Sequence, residues 1–353
     1  MSSNEVEVEA LYAKRAKIHA REVKGFFANL RKTAVIVLLG IYYLAPWLRW
    51  GTRQAILFDL PARQFHILGL TLWPQDFVFL SWLLIMAALL LFFATTVAGR
   101  VWCGYVCPQT VWTEIFVWME RLTEGNFNQR IKLDKAPWSP EKILRKSAKQ
   151  ILWISFAAWT GFTFVGYFTP IRELGVSLLS FDLGGWETFW ICFYSLATYG
   201  NAGALREQVC IYMCPYARFQ SAMFDRDTLI VSYDPARGEP RGGRQRGTSA
   251  ATSKLGDCID CRMCVQACPT GIDIRKGLQY ECITCAACID ACDVVMDKVG
   301  YPRGLIRYTT QNAVQGKPQH ILRPRVILYG TILLLLFIGF VITLANRAAV
   351  RLD

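Results

Sequence analysis

The chain has 353 residues, 53% of them hydrophobic and 13% aromatic, yet its formal net charge is +12. So much apolar content beside so much positive charge excludes an ordinary soluble domain and points to long apolar segments joined by basic loops held on one side of a bilayer. A nucleic-acid partner is not expected, because no recognition motif or basic aromatic stripe accompanies the charge.

Residues 1–33 are polar and helical in pattern, with Lys14, Arg15, Lys17, Arg21, Lys24, Arg31 and Lys32 ahead of the first apolar run. The long polar lead and the lack of a small-residue cleavage site exclude a cleavable signal. His19 is read as a solvated side chain. Five segments approach or reach the roughly 20 apolar residues of a spanning helix, namely 34–50, 77–98, 150–170, 186–205 and 326–345. Lys and Arg number 7 in residues 1–33, 9 in 99–149 and 17 in 206–325. The loops between carry few, so the positive-inside rule puts the N-terminus on the cytoplasmic side and the C-terminal tail outside.

The outward loop 51–76 is too apolar to be free and is expected to lie along the interface or re-enter. Asp59, His66 and Asp76 are its candidate metal ligands, set against the ordinary alternative of hydrogen-bonded side chains. The second outward loop, 171–185, carries no signal. Cys192, alone inside the fourth apolar run, reads as a small packing residue.

An internal repeat runs through the apolar region. The first pair of spans is followed by Cys103-Gly-Tyr-Val-Cys107-Pro108 and the second by Cys210-Ile-Tyr-Met-Cys214-Pro215. Two spans per unit return the chain to one face, so both CxxxCP motifs are expected at the cytoplasmic membrane surface. Each proline suits a first helical position, and 108–122 and 215–225 have the pattern of short amphipathic surface helices. Cys107 and Cys214 then sit at helix N-termini, where the dipole favours a thiolate able to bind a soft metal such as Cu(I) or to exchange electrons. Spacing alone is equally compatible with copper binding, quinone contact and a transient disulfide.

Residues 237–254 mix Arg, Gly, Ser and Thr without period and read as a flexible tether. Cys258, Cys261, Cys264 and Cys268 then follow with spacing x2, x2, x3, and Cys282, Cys285, Cys288 and Cys292 repeat it. In the bacterial two-cluster pattern the last cysteine of each run crosses to the other cluster. One [4Fe-4S] centre is thus assigned to Cys258, Cys261, Cys264 and Cys292, and the second to Cys282, Cys285, Cys288 and Cys268. Structural zinc prefers two CxxC pairs with a longer spacer, and a cytoplasmic location disfavours disulfides. His320, in the loop that follows, is read as unremarkable.

The expected architecture is membrane α-helical, with about five transmembrane helices and an inserted cytoplasmic bacterial-type 2[4Fe-4S] ferredoxin domain of small α+β type. Its parts are a basic segment 1–33, a four-helix membrane domain 34–225, a flexible linker 226–257, the ferredoxin domain 258–308, a linker 309–325, a fifth helix 326–345 and an outer tail 346–353.

The stretches YAKRAKIHAREVKGFF, GTRQAILFDLPARQFHILGLTLWPQDF, WCGYVCPQTVWTEIF, TGFTFVGYFTPIR, REQVCIYMCPYARFQSAMFD and GLQYECITCAACIDAC closely resemble the cytochrome c oxidase accessory proteins called CcoG, FixG or RdxA, over about residues 12–345. The resemblance implies a polyferredoxin of the proteobacterial inner membrane that acts in assembly of cbb3-type oxidase, with a cupric reductase-like role in reducing Cu(II) to Cu(I). It carries over the eight cluster cysteines and Cys103, Cys107, Cys210 and Cys214. It also implies partners among oxidase assembly factors or copper-handling proteins, besides membrane lipid. Members usually continue into a periplasmic β-sandwich, where this sequence has only Asn346 to Asp353. Two alternatives stand beside copper reduction: a quinol-oxidising respiratory module, and a non-catalytic copper-binding scaffold.

Overall fold

The computed structural model describes residues 18–243 and 255–346. The expectations for Lys14, Arg15, Lys17, most of the 237–254 tether and the tail beyond Asn346 lie outside the described residues.

Helix α1 (Phe26–Leu44) begins inside the polar lead. The carboxylate of Asp290, far along the chain, accepts hydrogen bonds from the first-turn amides of Phe27 at 3.2 Å and Ala28 at 2.6 Å. A negative group at a helix start satisfies amides that have no partner within the helix and matches the positive end of its dipole. The first apolar helix is therefore capped by the cysteine-rich region itself.

Helix α2 (Phe77–Ala98) runs to the first CxxxCP motif, which spans the short α3 (Val101–Tyr105) and the start of α4 (Pro108–Glu124). After α5 (Phe127–Lys135) comes the long α6 (Pro140–Val165), then α7 (Ile171–Leu179) and α8 (Gly185–Thr198). Gly161 lets α6 and α8 approach closely, since a Cβ there would lie 2.5 Å from the carbonyl oxygen of Ile191; small residues at such crossings are the usual device of helices in lipid.

Among the described residues three helical stretches are long and apolar enough to cross a membrane: Phe26–Trp47, Pro74–Ala98 and Pro324–Ala345. The other two expected spans are helical but differ in detail. Helix α6 opens with Lys142, Arg145, Lys146 and Lys149, which shortens its apolar part. After α8 the chain loosens into a π-helix over Tyr199–Leu205, where Gly200, Asn201 and Gly203 weaken regular α-helix.

The outward loop folds as a β-hairpin (β1, Arg49–Trp50; β2, Arg53–Gln54) and an antiparallel sheet of β3 (Ile56–Asp59), β4 (Gln64–Ile67) and β5 (Leu70–Leu72). This corrects the re-entrant reading. Asp59 accepts from the Ala62 amide at 2.8 Å and Asp76 from the Trp73 amide at 2.9 Å. His66 Nδ1 lies 2.7 Å from Arg53 Nη1 and 3.1 Å from Thr71 Oγ1. Turn and sheet bonding thus accounts for all three candidate ligands, and among the described residues no three His, Cys, Asp or Glu side chains converge on a single ion. The loop 171–185, silent in sequence, carries α7. Cys192 is exposed rather than packed, and His19, far from solvated, meets Asp134 at 3.0 Å.

The supposed linker is also structured where described. Strand β6 (Ile230–Tyr233) pairs antiparallel with β7 (Ile306–Thr309), Ile230 opposite Thr309 and Tyr233 opposite Ile306. Arg237 is held by Asp257 at 2.5 Å and by the Arg303 carbonyl at 2.9 Å. The ferredoxin unit therefore begins near residue 230, upstream of the expected boundary at 258. Between the strands lie α10 (Pro235–Gly238), α11 (Met263–Ala267) and α12 (Ala287–Val299). After β7 come α13 (Gln311–Val314) and α14 (Pro324–Ala345). Helix α14 packs on α2 with Phe340 edge-on to Phe79 and Trp82 at 5.9 and 6.1 Å.

Candidate iron-sulfur and dithiol site

Two small voids lie in the ferredoxin unit. One is bordered by Cys258, Cys261, Cys264 and Cys292. The other is bordered by Cys268, Cys282, Cys285 and Cys288, with Cys264 between the two. The crossing of the last cysteine of each run follows from the fold, since α11 and α12 pack together, α11 ends at Cys268 beside the second void, and α12 carries Cys292 in its second turn beside the first.

The backbone around the voids repeats as well. Asp260 and Arg262 flank Cys261 in the left-handed region (φ 51° and 55°), and Thr284 and Ala286 flank Cys285 likewise (φ 52° and 58°). Residues with side chains rarely adopt this conformation. It is held here twice at matching positions, and the amides of Val265, Thr284 and Ala287 reach the thiols of Cys264, Cys282 and Cys285, an arrangement of backbone donors suited to an anionic group. Four thiols around each void, with these amides, fit a cubane of iron and sulfide.

Burial pushes the thiols up, Cys264 to about 11 and Cys282 and Cys292 to about 12. Without metal these groups are neutral at pH 7, so loading must displace protons.

The second void faces the membrane helices. Gly104, in the middle of the first CxxxCP motif, lies so close to the Cys285 loop that a Cβ would sit 2.7 Å from the Ile283 carbonyl oxygen and 2.9 Å from the Cys285 Cα. Arg31 donates to the Cys285 carbonyl and Arg100 to that of Tyr280. Tyr308 Oη donates to the Thr284 carbonyl at 2.5 Å and lies 3.2 Å from Tyr105 Oη. Cys103 packs against the buried cluster of Ala267, Ile283, Cys285, Ala287 and Ala291.

The two CxxxCP motifs meet. Cys107 and Cys214 cap α4 and α9 (Pro215–Ala222) in similar extended conformations, φ −56°, ψ 127° and φ −78°, ψ 113°. Gln109 Nε2 bridges the repeats by donating to the carbonyls of Asn201 at 2.8 Å and Arg206 at 3.1 Å. Cys103 Sγ lies 3.2 Å from Gln220 Oε1. Each of the six pairs among Cys103, Cys107, Cys210 and Cys214 is close enough to interact electrostatically. The helix starts are as expected, but the thiolate is not favoured, because desolvation outweighs the amides of Gln109 and Thr110 at Cys107 and raises its thiol pKa. Cys210 is pushed up to about 12 by the same cause.

Sequence reasoning missed what holds the repeats together. Glu120 and Glu124, fully buried, face Arg130, Lys146, Lys149 and Arg206. Arg206 Nη2 lies 2.8 Å and Arg130 Nη1 3.3 Å from Glu120 Oε2, while Lys149 lies 2.8 Å from Glu124. Glu120 and Glu124 one turn apart on α4, opposite Lys142, Lys146 and Lys149 at helical spacing on α6, were the available signal.

A family model described as a 4Fe-4S dicluster domain matches residues 205–311, and one described as a 4Fe-4S binding domain matches residues 78–125. The protein FixG of Rhizobium meliloti, called a nitrogen fixation protein, is 43% identical over 305 residues, 85% of this chain and 58% of its own length. RdxB of Cereibacter sphaeroides is 43% identical over 367 residues, covering 100% of this chain and 77% of the relative. RdxA of the same organism is 42% identical over 307 residues, 85% of this chain and 64% of the relative. The chain thus spans under two thirds of FixG and RdxA. No solved structure matches. The matches and the void geometry agree on an iron-sulfur protein, and the three apolar helices on a membrane one.

Proposed function

This chain belongs to the family that includes FixG, RdxA and RdxB, and on that premise we propose that it carries single electrons from a dicluster ferredoxin unit to thiols at the membrane surface and on to Cu(II), producing Cu(I) for assembly of a cbb3-type oxidase. In this reading Cys258, Cys261, Cys264 and Cys292 hold one [4Fe-4S] cluster and Cys268, Cys282, Cys285 and Cys288 the other. Bound clusters supply electrons one at a time, which matches the single electron that separates Cu(II) from Cu(I).

The observation that carries the reading is the wedge at Gly104, which puts the Cys285 loop in contact with the first dithiol motif. Arg31 and Arg100 fix that contact by binding loop carbonyls, and Cys103 packs against the apolar cluster that holds Ile283 and Ala287. In this reading the junction lies on the cytoplasmic side and the β3–β5 sheet outside, which the distribution of Lys and Arg supports.

The quinol alternative ranks second. The groove lined by Phe164, Phe168, Trp186, Trp190 and Tyr194 suits a quinone ring, but it adjoins the end of α6 remote from the ionic network and the dithiols.

The test is anaerobic. Purified protein reduced with dithionite is mixed with Cu(II), and Cu(I) is trapped by a chelator while the ferredoxin-unit EPR signal is followed. Loss of the reduced signal with matching Cu(I) formation is expected, and a slower step when Cys103 and Cys210 are replaced by Ser. A reduced signal that persists in excess Cu(II) overturns the reading.

A further inference from the structure

The segment 78–125 matches a 4Fe-4S binding model, yet its only cysteines are Cys103 and Cys107. Two thiols do not fill the corners of a cubane. The fold supplies the other two. The second repeat brings Cys210 and Cys214 to the first pair: Cys103 Sγ lies 3.2 Å from Gln220 Oε1 on α9, the helix that Cys214 begins, and Gln109 Nε2 donates to the Asn201 and Arg206 carbonyls just ahead of Cys210.

We propose that Cys103, Cys107, Cys210 and Cys214 together hold a third iron-sulfur cluster, of the four-iron type, set between the two repeats. The proposal rests on the electron path above and deepens it, making the thiol station a resident centre rather than a pair of exchanging dithiols.

Three features favour a cluster. The set is all sulfur and its four thiols match the four corners of a cubane. Arg100 faces the set and is the nearby cation for an anionic cluster. Finally, the centres form a row: Cys264 borders both ferredoxin voids, and the second void adjoins Cys103 through Cys285.

The repeats are built to preserve this arrangement. Cys107 and Cys214 occupy the same place relative to a following Pro and helix. Gln109 and the Glu120–Arg206 pair tie one repeat to the other, so the four-thiol set is not left to chance docking of two loops.

The experiment uses the full chain, purified without oxygen in detergent, with iron and acid-labile sulfide counted per chain. About 12 iron atoms are expected against about 8 for the ferredoxin pair alone. The Cys107→Ser/Cys214→Ser variant, prepared in parallel, is expected to lose about a third of the iron while the magnetically coupled EPR signal of the ferredoxin pair remains. An iron content that the double variant leaves unchanged overturns the proposal, as does stoichiometric copper on the four thiols of the wild type. Should the variant fail to fold, Mössbauer spectra of the iron-57-enriched wild type decide: two cubane populations and no third refute it. Either refutation leaves the copper-reduction assay free to succeed, so the two readings fail separately.

Discussion

Replacing Gly104 by Ala puts one methyl group into the junction between the ferredoxin unit and the membrane helices. The new Cβ would lie 2.7 Å from the Ile283 carbonyl oxygen and 3.0 Å from the Cys285 amide nitrogen. Both neighbours are backbone, so no side chain can swing aside. To restore ordinary contact the Cys285 loop must retreat by about 0.7 Å, and overpacking of this kind costs about 1–3 kcal/mol. The same retreat stretches the bonds from Arg31, Arg100 and Tyr105 to that loop, so the docked state is disfavoured by about 5- to 150-fold. Amide hydrogen exchange over residues 280–285 should rise by up to that factor, and Cu(II) reduction by the prereduced protein should slow, with the ferredoxin EPR signal intact. Gly175→Ala is the control, since its Cβ meets only Phe162, at 3.9 Å. Unchanged exchange and an unchanged rate in Gly104→Ala would refute the claim that electrons leave through this contact.

Glu120→Ala leaves Arg130 and Arg206 buried without their carboxylate and should cost about 3–5 kcal/mol, read as a lower thermal midpoint in detergent; a shift indistinguishable from that of Glu141→Ala, whose side chain is largely exposed, would count against the network. Asp290→Ala removes the acceptor for the Phe27 and Ala28 amides and should cost about 0.5–2 kcal/mol, visible as faster exchange in the first turn of α1. Cys268→Ser should disturb the centre that Cys282, Cys285 and Cys288 border, although Cys268 belongs in sequence to the first run. Mixed-ligand EPR features that follow the Cys258 set instead would refute the crossing. Iron chelation under reducing conditions should leave neutral thiols, so alkylation of Cys264 and Cys292 should keep rising with pH toward their raised values of about 11 and about 12, which mass spectrometry of labelled peptides can follow.

Much of the cofactor chemistry is legible in the sequence. The x2, x2, x3 spacing of Cys258 to Cys268 and its repeat at Cys282 to Cys292 carries the chemistry in the chain itself, because a tight turn of three thiols is a local property. The apolar runs that became α1, α2 and α14 were equally plain, since a helix in lipid must be apolar all round. Local pattern reached its limit at 226–243, where Arg, Gly and Pro read as a tether although β6 pairs with a strand more than seventy residues later. It failed at His66 for the same reason: its partners Arg53 and Thr71 come from neighbouring strands.

Sequence alone determined which residues could bind iron and which could cross a bilayer, because thiol spacing and apolar length act within a few turns of chain. The tertiary structure alone decided where those parts meet. Cys285 lies against Gly104, Asp290 caps α1, and Cys210 and Cys214 join Cys103 and Cys107, because burying Glu120 with Arg206 and packing backbone on a glycine are bargains struck between distant segments, and no local pattern encodes them.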